Sequence, residues 1–193
     1  MKTTVERILI LLLSVLFLSP SVSKSEASYT PKLGMNMDEY ILKYNALPAT
    51  LGSPYKSLEK PAFWSEFEGY QVAFFYPEND SAVALLLMSA DKSNTKSTKA
   101  GLDVVQVFSF AKENWIPLIN ITKRCASIFA EEFFGVSMAS LSIIDALNYY
   151  YENNLEKQGY TSYRSLNSDE TIALSFGYSD GYYFMITSLD DAK

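Results

Sequence analysis

Between Ser137 and Gly159 apolar residues recur at helical spacing. Leu141, Ile143, Ile144, Leu147, Tyr150, Tyr151 and Leu155 fall on one half of the wheel, with Asp145, Glu152, Asn153, Glu156 and Lys157 opposite. The pattern predicts a core-facing helix, and its end carries its own signal: Gly159 stands at C′ and Tyr160 at C″, spaced to meet Leu155 in a Schellman cap. Upstream, Leu118, Ile121, Cys125, Ile128 and Phe129 mark a second long helix, opening at Pro117 and ending near Gly135. A third, shorter helix starts at Asn36. There Asn36 and Glu39 make a capping-box pair, Met35 is spaced to staple onto Tyr40, and Tyr40, Ile41, Tyr44 and Leu47 form the stripe that Pro48 closes.

Between these helices the period changes to two. Residues 62–68, 70–76, 82–88 and 102–110 predict a four-strand meander, the third strand apolar on both faces as a central strand requires. Pro77-Glu78-Asn79-Asp80 reads as a turn, residues 48–61 as a loop, and the polar run 91–101 as a mobile loop. After the helices come a strand over 160–166 and a hairpin around Asp180-Gly181. The expected fold is α+β: a single domain whose antiparallel sheet, a four-strand meander plus a C-terminal strand and hairpin, carries three helices packed mainly on one face. Helix-then-strands occurs twice, so a diverged duplication is one reading of the order.

The first residues alter this picture. Lys2 and Arg7 precede an apolar run from Ile8 to Leu18 that stops at Ser19-Pro20, the pattern of an export signal. The run is shorter than the roughly 17 apolar residues a membrane helix needs, and no cysteine follows it to carry a lipid anchor. Residues 1–27 are therefore expected to be a cleaved signal, with cutting after Ser23 or Ala27, and residues 28–193 to form one domain, periplasmic or secreted and monomeric.

Composition narrows the chemistry. The chain has 193 residues, no histidine and one cysteine, which removes histidine triads, typical catalytic zinc sites and any internal disulfide. The formal net charge is −6 and the richest basic cluster is Lys123-Arg124, which speaks against a nucleic-acid partner. No set of carboxylates has metal-ligand spacing, so neither metal nor cofactor is expected. Cys125, among Ile121, Ile128 and Phe129, reads as a packing residue.

Two surfaces remain as candidates. Trp64, Glu66 and Glu68 share one face of a strand, with the two carboxylates about 7 Å apart at the backbone. Paired carboxylates beside an aromatic are what glycoside hydrolysis uses. The wet face of an ordinary strand has the same composition. In the hairpin, a two-residue Asp180-Gly181 turn would pair Ser179 with Tyr182 and Gly177 with Phe184. That register places Tyr182, Phe184 and Ile186 beside a row of small residues, as an apolar patch for a partner unless the chain itself covers it. Ser53-Pro54-Tyr55-Lys56 and Ser93-Asn94-Thr95-Lys96 match S-x-x-K, without the S-D-N and K-T-G motifs that accompany it in penicillin-recognising enzymes.

The expectation is an exported, non-enzymatic binding module acting on a protein, peptide or glycan through an aromatic sheet face, with no membrane anchor. The competing expectations are an envelope glycan hydrolase using Glu66 and Glu68, and a carrier of a small apolar ligand held between helices and sheet.

Overall fold

The computed structural model describes residues 29–48, 57–67, 69–77, 83–109, 111, 114–129, 162–166, 169–178 and 181–192. The expected export signal, the expected helix over 137–159, Glu68, Ser53 and Lys56 lie outside them. The described elements are α1 (Met37–Ala46), β1 (Phe63–Phe67), β2 (Tyr70–Phe75), β3 (Val83–Ser89), β4 (Val104–Ser109), α2 (Trp115–Ala126), β5 (Ser162–Ser165), β6 (Ile172–Tyr178), β7 (Tyr182–Ser188) and the short α3 (Leu189–Ala192). The fold is α+β. Seven strands form one sheet in the order β1-β2-β3-β4-β7-β6-β5, each neighbouring pair antiparallel. The N-terminal meander and the C-terminal strands thus meet at their last members, β4 and β7, the arrangement that two helix-then-meander halves facing each other would give.

The local signals act where they stand. Asn36 accepts a hydrogen bond from the Glu39 N–H at 2.9 Å, and the Glu39 carboxylate accepts one from the Asn36 N–H at 2.9 Å, completing the capping box of α1. At the other end of α1, the buried Arg124 of α2 donates to the carbonyls of Tyr44, Leu47 and Pro48 at 2.8–2.9 Å. It adds a donor to the Tyr44 carbonyl, which also accepts from the Leu47 N–H at 3.3 Å, and to the carbonyls of Leu47 and Pro48 just past the helix, and it places a cation at the negative end of the helix dipole. α2 begins at Trp115, two residues before the expected Pro117. Proline is tolerated there because the amides of a first turn have no intrahelical partner.

Strand alternation sorts the core into two clusters. Ala73, Phe75, Leu85, Leu87, Val105, Val107, Leu174, Phe176, Tyr182, Phe184 and Ile186 share one cluster with Met37, Tyr40, Ile41 and Tyr44 of α1 and Leu118, Ile121 and Cys125 of α2. Val72, Phe74, Leu86, Met88, Val104, Phe108, Tyr183 and Met185 form the other. Burial pushes the Cys125 thiol up to about 12, the behaviour of a packing residue rather than a reactive one.

The hairpin differs from expectation by one residue. Tyr178 pairs with Tyr182, Gly177 with Tyr183 and Phe176 with Phe184, so three residues separate the strands instead of two. A slip of one carries every side chain to the opposite face. Tyr182, Phe184 and Ile186 consequently lie beside Leu174 and Phe176, at 4%, 2% and 1% exposure, and form no partner patch. Both rows of β7 are apolar, so polarity alone does not select the register. β4 and Gly177 do: Val105 and Val107 lie opposite Ile186 and Phe184, while Tyr183 covers Gly177 so closely that a Cβ there would strike its ring.

Candidate functional site

With the hairpin patch enclosed, the remaining described candidates from the sequence, Trp64 and Glu66, lie on β1. β1 is the first strand in the order and pairs with β2 in unbroken register from Phe63↔Phe74 to Phe67↔Tyr70. The register leaves a two-residue turn, in which Gly69 holds φ +90°, a conformation that side-chain-bearing residues seldom adopt. Trp64 and Glu66 project to the same face, as the period of two requires. Trp64 is half-buried against the helix-side cluster, and Glu66 is the exposed position of the strand.

Glu66 forms one wall of a cleft of about 460 Å³, bounded also by Phe67, Gly69, Tyr70, Gln71, Ser89, Asp91, Lys92 and Thr95. Of these residues the sequence points to Glu66 alone as a site residue, because β2, β3 and the 91–95 turn meet β1 only in three dimensions. The 91–101 run, expected to be mobile, is folded around Asp91. That carboxylate accepts from the Ser93 N–H at 2.9 Å, the Ser93 hydroxyl at 2.5 Å, the Asn94 amide at 3.0 Å and the Gly101 N–H at 3.3 Å. Burial alone would raise its pKa. The hydrogen bonds from Ser93, Asn94 and Gly101 outweigh burial and hold the carboxyl below its ordinary range. Gln71, buried in β2, ties the loop to the sheet by donating to the carbonyls of Asn94 at 2.9 Å and Asp91 at 3.2 Å. The sequence does hold a signal for this loop: aspartate followed by serine two residues on is a side-chain-to-backbone turn pattern.

The cleft therefore has two kinds of polar group. Asp91 and Gln71 are engaged in holding the loop, whereas Glu66, Lys92 and Thr95 are exposed. Burial raises the phenol pKa of Tyr70 on the rim, keeping it a neutral hydrogen-bonding group. This division bears on catalysis. A glycosidase needs a second carboxyl free to exchange a proton or attack carbon. Asp91, the other described carboxylate of the cleft, is saturated with donors and held ionised. The S-x-x-K serine Ser93 donates its hydroxyl to that same carboxylate. Among the described residues no group of three or more Asp, Glu or Cys is placed to hold a metal ion, and no helix is long and apolar enough to cross a membrane.

A second carboxylate organises the neighbouring segment. The Asp103 side chain, wholly buried at the start of β4, accepts from the Tyr29 hydroxyl, the Lys32 N–H at 3.0 Å and the Ala90 N–H at 2.7 Å. Residues 29–36 are thereby strapped along residues 100–103, with Leu33 N–H to the Leu102 carbonyl at 3.0 Å and Leu102 N–H to the Met35 carbonyl at 2.8 Å. Gly101 is required in this strap, since a Cβ there would stand 2.6 Å from the Tyr29 ring. Comparison with family models, with curated proteins and with solved structures finds no match to this chain.

Proposed function

We propose that this chain is an exported, non-enzymatic binding module that engages a protein, peptide or glycan through the β1–β2 hairpin and the cleft beside it. The observation that carries the reading is the separation of roles in the cleft. Buried Asp91 and Gln71 hold the 91–95 wall in place, while Glu66, Lys92 and Thr95 face outward beside Phe67 and Tyr70. Polar groups fixed before the ligand arrives lower the ordering cost of binding, and aromatic rims supply contact area. For a hydrolytic role, Glu66 would need a second carboxyl; in the cleft Asp91 is taken up by Ser93, Asn94 and Gly101, and Glu68 lies outside the described residues. Export follows from the Lys2–Pro20 pattern.

The test is titration calorimetry of the purified protein against panels of envelope glycans and extended peptides, with thin-layer analysis of the glycans after incubation. Binding that weakens tenfold or more in Glu66→Gln or Lys92→Ala, with the glycan recovered intact, is the expected result. Released sugar products that disappear in Glu66→Gln would overturn it in favour of the hydrolase.

A further inference from the structure

We infer that the outer edge of β1 takes an added strand: an extended peptide segment carrying lysine or arginine opposite Glu66. The inference rests on the binding-module reading and names its partner. Among the described strands β1 stands at the end of the sheet, and in an antiparallel pair every second residue directs its N–H and C=O away from the neighbour. Among the described residues no backbone hydrogen bond is formed from that outer side of Phe63–Phe67. Sheets commonly blunt such an edge with proline, lysine or a bulge. Residues 63–67 contain neither proline nor lysine, and their register with β2 has no bulge.

The one charge on the strand decides which strand is admitted. If two copies paired antiparallel about Ser65, each Glu66 would lie opposite Trp64 of the other copy, and the two carboxylates would be diagonal neighbours on one face. Like charges so placed oppose pairing, whereas a cation directly opposite Glu66 favours it. In a chain of formal charge −6 the complementary partner is basic. Alternation fixes the remainder of the antiparallel partner. Two residues after the cation comes a β-branched or aromatic side chain opposite Trp64, and apolar residues lie opposite Phe67 and Phe63 on the other face.

The probe is the capped pentapeptide valine-lysine-threonine-isoleucine-valine, labelled and followed by fluorescence anisotropy with the purified protein. The expected result is saturable binding that weakens roughly tenfold when the lysine is replaced by glutamate. Glu66→Lys should invert that preference. Because this variant changes the strand itself, two N-methylated peptides leave the protein untouched: methyl groups on one alternating set of amides should abolish binding, and on the other set should leave it. Equal affinity for the lysine and glutamate peptides, indifference to the methylation frame, no binding of the lysine peptide up to millimolar concentration, or a homodimer in sedimentation that Glu66→Lys dissociates would each overturn the inference. A glycan that still binds, and is lost in Lys92→Ala, would leave the binding-module reading standing without this partner. Failure of both the peptide and the ligand panels would overturn both.

Discussion

Asp91 and Asp103 are buried carboxylates twelve positions apart, both beside the end of β3, yet they hold together different scales of structure. Asp91 accepts from Ser93, Asn94 and Gly101, all within ten residues of itself. Asp103 accepts from Tyr29 and Lys32, more than seventy residues away, and from Ala90 at the end of β3. One shapes a turn and so builds a wall of the cleft. The other joins the N-terminal strap to the middle of the sheet. A local network can form as soon as its loop closes, while a long-range one forms only when the sheet is assembled, so its loss should be felt throughout the cooperative unit.

Removing Asp103 should have the largest effect. Asp103→Ala strands the Tyr29 hydroxyl and the amides of Lys32 and Ala90, and should lower unfolding free energy by about 3–5 kcal/mol. Urea unfolding measures this, and limited proteolysis should show early cutting within 29–36. Asp91→Ala, which releases a loop at the edge of the sheet, should cost about 1–3 kcal/mol and weaken ligand binding in the cleft. Equal costs for the two substitutions would break the contrast between local and long-range networks.

Acid should sharpen it. The folded-state pKa of Asp91 lies below the unfolded value, so its contribution is fully present above about pH 4 and fades as pH falls through the folded pKa. Urea midpoints measured from pH 6 down to pH 3 should decline less steeply in Asp91→Asn than in the wild-type chain. The smallest effect is expected from Tyr29→Phe, about 1 kcal/mol at neutral pH. Burial and the adjacent Asp103 carboxylate raise the Tyr29 pKa. Its contribution is therefore present below about pH 10 and declines above it, as the unfolded phenol ionises while the folded one resists. Alkaline unfolding should accordingly be shallower in Tyr29→Phe.

What could be read from residues in order was what neighbours in order decide. The capping box of Asn36 and Glu39, the alternation that places Trp64 and Glu66 on one face, and the doubly apolar β3 all depend on spacing within one element, so the meander and the α+β class followed from pattern. The Asp91 turn belongs to the same category and was legible in principle from Asp91 and Ser93. The cleft was only partly legible: Glu66 was picked out, but Lys92, Thr95 and Gln71 come from other segments of the chain.

The hairpin marks where sequence stops deciding. Tyr182, Phe184 and Ile186 and the alternate row of Tyr183 and Met185 are both apolar, so either could face the helix-side core, and a two-residue turn at Asp180-Gly181 favours the wrong one. Selection came from β4, whose Val105 and Val107 lie opposite Ile186 and Phe184, and from the fit of Tyr183 over Gly177 between the two strands of the hairpin. Element type, caps and the acidic, histidine-free chemistry were determined by the sequence itself, because propensity, capping and charge act over a few residues. Register in the hairpin, the enclosure of the aromatic row and the meeting of β1, β2 and the 91–95 turn around one cleft were decided by tertiary structure, because each depends on which distant side chain occupies the space alongside.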